Sequence, residues 1–282
     1  MFPAERIVCL TEETTETIYL LGEERRIVGI SGYTVRPPQA RKEKPRVSAF
    51  ISADIPKILA LKPDLVLAFS DLQADIVSSL IREGVAVHCF NQRSVAEILD
   101  MIRMVGAFVG ASEHANALAN ELAANVERVR AETSGLATWP KVYFEEWDDP
   151  MISGIGWVSE LIAIAGGEDI FADLSTRKSA KERIVARDDV IARAPDIIVG
   201  SWCGKKFHPP KVIARSGFDA IPAVRNGKIY EIKSPIILQP GPAALTDGLV
   251  ALRTIIGSVK PIQGDNLVPG RGTRRNDKKL SH

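Results

Sequence analysis

One phrase occurs twice in the chain, and it constrains the fold more than any other feature. Residues 60–68 read Ala-Leu-Lys-Pro-Asp-Leu-Val-Leu-Ala, and residues 192–200 read Ala-Arg-Ala-Pro-Asp-Ile-Ile-Val-Gly. In both, a helix runs out before a proline, which drives the preceding residue away from helical geometry. Asp then makes the turn, and an apolar strand follows. A strand with no polar alternation is covered on both faces, the mark of a parallel sheet between helices. Two such units predict two α/β halves of similar build.

The surrounding pattern agrees. Ile7 to Leu10 reads as a strand, with Thr11 as a possible N-cap and Glu12, Glu13 and Glu16 in the first turn of a helix that stops at Gly22. Strands are expected at Ile27–Ile30, Leu65–Ala68 and Val85–His88, and helices at Ile55–Leu61 and Ala74–Glu83. From Ser112 to about Glu132 the spacing predicts one long helix. Ala115, Leu118, Ala119, Leu122, Val126 and Val129 form its apolar face, and no Gly or Pro interrupts it. Lys141 to Phe144 opens a second strand–helix series, continued by strands at Ile197–Val199 and Lys228–Ile232. The reading is α/β: two Rossmann-like lobes with parallel sheets, residues 1–110 and 137–260, joined by a bridging α-helix at 111–136. The Gly-rich, basic stretch 261–282 is expected to be a disordered tail.

The whole-chain charge of +1 supplies no field for nucleic acid or an anionic membrane. The basic run Arg41, Lys42, Lys44 and Arg46 reads as a solvated loop. Cys9, Cys89 and Cys203 are odd in number and far apart, so they form no disulfide framework; Cys9 and Cys89 sit in apolar strand-like runs as small hydrophobes. His88, His114, His208 and His282 are scattered, which argues against a dedicated metal-ion site. Gly154 and Gly156 lack the third glycine of a dinucleotide loop. Glu145, Glu146, Asp148 and Asp149 read as a solvated strand-to-loop turn before they read as an acid/base pair, and no catalytic constellation is evident. No stretch is apolar enough to span a membrane, and no signal peptide is evident before Ile7.

Further phrases carry a family resemblance. They are Ser31-Gly32-Tyr33, Pro37-Pro38-Gln39-Ala40 and Val47-Ser48-Ala49-Phe50, then Ile152-Ser153-Gly154, Gly166-Gly167-Glu168-Asp169-Ile170-Phe171 and Arg187-Asp188-Asp189-Val190-Ile191-Ala192-Arg193. In this order the chain resembles the class III, helix-bridged substrate-binding proteins of ABC importers for cobalamin, haem and ferric siderophores, and most of all the cobalamin-binding members. The resemblance implies a non-enzymatic, monomeric binder that holds a corrinoid in a largely pre-formed cleft for a membrane permease. The ligand would be a metal chelate, with no covalent cofactor. The setting would be periplasmic or cell-envelope, or cytoplasmic if no export signal exists. Haem or a ferric siderophore is the alternative, held by Arg36, Arg93 and Lys205, with Tyr33 or His208 as an axial haem ligand. A third reading is a non-exported chelate carrier or enzyme on the same fold.

Residues at the C-terminal strand ends are expected to face the cleft. In the first lobe these are Tyr33, Arg36, Phe50, Ser70 and Asp71; in the second, Glu145, Trp147, Trp157, Trp202, Ile236 and Ile237. Phe50 stands where the cobalamin-binding members carry Trp, and the loop Ser234–Pro240 replaces a polar, aromatic one. The family docks its permease through one acidic residue on each lobe. Asp188 holds one position; Pro56 occupies the other, with Asp54 close by.

Overall fold

A computed structural model describes residues 2–259. The expected basic tail therefore lies outside the described residues. Ten strands form two sheets. β1 (Ile7–Cys9), β2 (Ile27–Ser31), β3 (Arg46–Ser48), β4 (Leu65–Phe69) and β5 (Val87–Phe90) make the first, in the order β3-β2-β1-β4-β5, with every pairing parallel. β6 (Lys141–Asp148), β7 (Met151–Ser153), β8 (Glu168–Asp169), β9 (Ile197–Gly200) and β10 (Ile229–Glu231) make the second, in the order β10-β9-β6-β7, with β8 alongside β6.

The repeated phrase builds the same corner in each half. Lys62 and Ala194, the residues before the prolines, both adopt a left-handed φ of 49°. Asp64 then accepts the backbone N–H groups of Glu5 and Arg6 at 2.8 and 3.0 Å, and Asp196 accepts that of Lys141 at 2.9 Å. Each Asp thus ties the start of one central strand, β1 or β6, to the strand that will lie beside it, β4 or β9.

Strand periodicity then sorts the side chains. Leu65, Leu67 and Phe69 of β4 enter the main core, while Val66 and Ala68 enter a smaller core on the opposite face of the sheet. β6 behaves alike: Val142 and Phe144 join the main core, and Tyr143 joins the outer core of the second half. The main core thus runs through both halves, with the helix Ser112–Thr133 inside it. Ala115, Ala119, Leu122, Val126 and Val129 bury the expected face, and Leu118 is only partly buried. This helix packs along the helix Val95–Phe108, which begins with a full capping box at Ser94 and Glu97. A Cβ at Gly106 would fall 2.1 Å from that of Ala115, so glycine sets how closely the two helices approach. At the far end Thr133 Oγ1 donates to the Ile164 carbonyl at 2.9 Å. A linker packed into a shared core favours a cleft of nearly fixed shape.

The structure departs from the sequence reading in six places. The second sheet is mixed, because β7 folds back antiparallel on β6. β5 runs from Val87 to Phe90, two residues later than expected, so His88 lies inside the strand, edge-on to Phe90, instead of ending it. Cys89 is exposed at this sheet edge. The basic run forms a short helix, Ala40–Glu43, and then β3. Thr11 has extended backbone but caps nothing: its Oγ1 donates to Glu13 Oε1 at 2.5 Å. The segment expected as a loop from Ser234 is helical through Ile237, with Pro at its first turn.

Candidate functional site

The C-terminal strand ends of the two sheets face each other. Gln92 Nε2, just after β5, donates to the Pro240 carbonyl at 2.9 Å. Arg36, after β2, pairs with Asp247 at 2.9 Å. Tyr33 Cε1 reaches within 4.0 Å of the position a Cβ at Gly204 would take. A Cβ at Gly156 would fall 2.2 Å from the Arg93 carbonyl oxygen, so glycine permits this close passage between the halves. Ser70, at the end of β4, holds a φ of 63°, an uncommon value for a residue with a Cβ.

The second-lobe face is a closed ionic network. Glu145, fully buried, accepts from Arg215 at 3.0 Å, from the Trp202 indole N–H at 2.9 Å and from the Tyr143 hydroxyl at 3.1 Å. Glu146 pairs with Arg183 at 2.6 Å, and Asp148 accepts from both Lys205 and Lys211. Burial alone would raise the Asp148 carboxyl, but the two ammonium groups outweigh it and hold it below its ordinary value. The Lys205 ammonium also sits 3.8 Å from the centre of the Trp147 ring. The run from Glu145 to Asp148 is therefore built into the structure rather than solvated.

The first-lobe face differs. Glu12, Glu13 and Glu16 open the helix Glu12–Leu20, and all are buried. Glu16 accepts from Arg36 at 2.8 Å and from the Ala243 N–H at 3.2 Å. Glu12 Oε1 accepts the Val35 N–H at 3.0 Å, but Glu12 Oε2 and Glu13 Oε2 have no partner within the protein. Among the described residues no cation comes within ion-pair distance of either. Desolvation, opposed by the Val35 N–H and reinforced by the neighbouring glutamates, pushes Glu12 up to about 8; desolvation pushes Glu13 up to about 7.

The site residues separate into two groups. Tyr33 is exposed, Asp71 is exposed, and Phe50, Trp147, Arg36 and Ile236 are half-buried at the cleft rim. Ser70 and Asp71 line a hollow of 690 Å³, together with Cys89 and Asn91. Arg36 and Ile236 line another of 620 Å³, which draws residues from both lobes. Four expected contacts belong instead to the interior. Trp157 is buried and donates its indole N–H to the Ile237 carbonyl at 2.8 Å, and the Ile237 side chain is buried beneath it. Trp202 is buried, edge-on to Phe207, and Glu145 is its hydrogen-bond acceptor. A buried indole needs one acceptor, and each of these has it inside the protein. Asp54 and Asp188 are exposed; Asp54 caps the helix Ile55–Ala60 through the Lys57 N–H at 3.0 Å, and Asp188 pairs with Arg187 at 3.2 Å.

Sequence reasoning assigned no cleft role to Glu12, Glu13 or Arg215. The available signal was three glutamates within one and a half helical turns, more negative charge than a helix N-terminus calls for. Arg215 carried none, since its partner lies seventy residues away.

Two α/β halves, one bridging helix and opposed strand ends define a two-lobed, helix-bridged solute-binding protein. The chain belongs to the periplasmic binding protein family, whose model matches residues 7–236. It is 26% identical over 253 residues to the vitamin B12-binding protein of Vibrio cholerae, covering 86% of each chain. It is 30% identical over 202 residues to that of Salmonella choleraesuis, covering 71% of this chain and 73% of the other. Its fold matches the solved periplasmic vitamin B12 binding protein of Vibrio cholerae, with a TM-score of 0.74 and 24% identity over 91% of this chain and 98% of that one. It also matches the periplasmic heme-binding protein of Roseiflexus, with a TM-score of 0.76 and 24% identity over 90% and 99%.

Proposed function

We propose that the chain captures a corrinoid between its lobes and presents it to the permease of an ABC importer, without chemistry of its own. The state of the cleft cations carries this reading. Arg36 and Lys205, which an anionic chelate would require, are already paired with Glu16, Asp247 and Asp148. Arg93 lies over the Phe69 ring, 5.0 Å from its centre. What the rim leaves open is Tyr33, with Phe50 and Ile236 half-open beside it, surfaces suited to the apolar face of a macrocycle. The names of the vitamin B12-binding relatives support the same choice over haem or a ferric siderophore. In this reading Ser70, Asp71 and Arg36 fix the ligand's edge, the ligand is a chelate rather than a bound metal ion, and the chain works as a monomer in the cell envelope. Asp188 and Asp54 are exposed on different lobes and are assigned to permease docking.

Absorbance titration with cobalamin and cobinamide tests the assignment. Saturable binding of either at micromolar concentration is expected. Binding of haem with neither corrinoid bound would overturn it.

A further inference from the structure

Gln73 is fully buried, and the reading of the sequence gave it no role. A buried side-chain amide is costly unless its groups find partners. Gln73 finds three, and each lies at the end of a different strand. Its Oε1 accepts the Phe69 N–H of β4 at 3.0 Å. Its Nε2 donates to the Leu10 carbonyl, just after β1, at 3.4 Å, and to the Phe50 carbonyl, beyond β3, at 2.8 Å. Both amide protons and the amide oxygen are thus engaged. β3 is the outermost strand and β2 stands between it and β1, so this one side chain spans much of the end of the sheet.

The turn that delivers Gln73 is strained. Ser70 holds a φ of 63° with a ψ of 171°, a region almost reserved for glycine. The chain then makes one tight turn, Asp71–Gln73. The Gln73 N–H closes it on the Ser70 carbonyl at 3.2 Å, and the Leu72 N–H donates to Ser70 Oγ at 3.3 Å. Strain of this kind persists only where the surrounding structure over-determines it, and it gathers at binding sites.

What Gln73 holds is the rim. Beyond β3 the chain makes a small loop, closed on itself by the Ala49 N–H on the Ser52 carbonyl at 2.8 Å. Phe50 and Ile51 form its tip; Ile51 is exposed, and Phe50 is half-buried against the main core. The bond from Gln73 ties this tip to the ends of β1 and β4. Ser70 and Asp71, where the turn starts, line the 690 Å³ hollow.

We propose that Gln73 is the positioning residue of the first lobe's rim: through the Phe50 carbonyl it fixes where the Phe50 ring stands, in the place the ring takes when ligand is bound. This rests on the corrinoid reading, in which Phe50 meets the macrocycle face. A ring already held in place loses little freedom on binding, so pre-positioning raises affinity without adding a contact.

The test is a double-mutant cycle on the full-length protein, read by absorbance titration with cobinamide. Gln73→Leu removes all three bonds at similar volume. It is expected to weaken cobinamide binding about fivefold when Phe50 is present, and by less than about twofold in the Phe50→Ala background. An effect of the same size in both backgrounds would mean that Gln73 acts on the lobe at large, and overturns the proposal. Unchanged affinity in a folded Gln73→Leu protein does the same. Gln73→Leu strands three backbone groups, and if it fails to fold the unaltered protein decides. Its Gln73 side-chain amide resonances, followed by heteronuclear NMR, are expected to exchange slowly with solvent and to shift on saturation with cobinamide; resonances that stay in place overturn the proposal. No binding of cobinamide by the unaltered protein removes the corrinoid reading, and this proposal with it.

Discussion

The two cleft faces solve the same problem in opposite ways. Each holds three acidic side chains out of bulk water at its central strand, in the helix after β1 in the first lobe and within β6 in the second. In the second lobe Glu145, Glu146 and Asp148 each meet a cation. In the first lobe only Glu16 does; Glu12 and Glu13 do not. A buried carboxylate with its counter-charge is a finished structural element. One without it is costly, and desolvation pushes it towards its neutral form. The second lobe's acids are therefore satisfied within the protein, whereas two of the first lobe's are left to burial alone.

Breaking the finished side should have the largest effect. Arg215→Met strands Glu145, which is fully buried, and is expected to cost about 3–5 kcal/mol of stability, measured by urea denaturation. Glu12→Gln should not destabilise the protein at pH 8. A loss comparable to that of Arg215→Met would mean that Glu12 has a structural partner after all.

The next effect is the opposed pH response of the two faces. Glu12 and Glu13 sit at about 8 and 7 against an ordinary 4.5. An acid raised by folding contributes stability that is complete below its unfolded value and is lost as pH rises through the folded one. Asp148, lowered by folding, contributes stability that is present above its ordinary 3.8 and is lost as pH falls through its lowered value. The ligand-free protein should thus lose roughly 1–3 kcal/mol between about pH 5 and pH 8. The Glu12→Gln, Glu13→Gln double variant should be nearly flat over that window. A wild-type profile equally flat there would remove the contrast between the faces.

A smaller effect separates rim from interior. Tyr33→Ala and Phe50→Ala are expected to weaken cobinamide binding about tenfold each, with melting temperature little changed. Trp157→Phe, which strands the Ile237 carbonyl, should instead lower stability by roughly 1 kcal/mol and leave affinity nearly unchanged. If Trp157→Phe reduced affinity as much as Tyr33→Ala, the division would fail. Smallest in stability is Asp188→Arg, expected within about 0.5 kcal/mol of wild type. It should nonetheless weaken binding to the cognate permease in a pull-down with reconstituted transporter.

Much of the fold was legible before any coordinates. The Pro-Asp corners, the apolar runs of β4 and β9 and the face of the bridging helix all depend on neighbours within a few residues. Less of the site was. Tyr33 and Phe50 were chosen by their place after strands, and the fold leaves Tyr33 exposed and Phe50 half-buried. Trp202, chosen by the same rule, and Trp157, chosen at a helix start, went inside, where Glu145 and the Ile237 carbonyl accept from their indoles.

The sequence by itself determined two strand–helix halves, the helix that joins them and the loops that border the cleft, because short-range sterics and hydrophobic periodicity decide these. It also placed Glu12, Glu13 and Glu16 after the first lobe's central strand and Glu145, Glu146 and Asp148 at the second's. Which of them would be neutralised was decided only in three dimensions. Arg215 reaches Glu145 across seventy residues of chain, whereas no comparable partner reaches Glu12 or Glu13 among the described residues. A charge's worth depends on what lies within a few ångströms of it, and for these side chains that is set by how the two lobes meet.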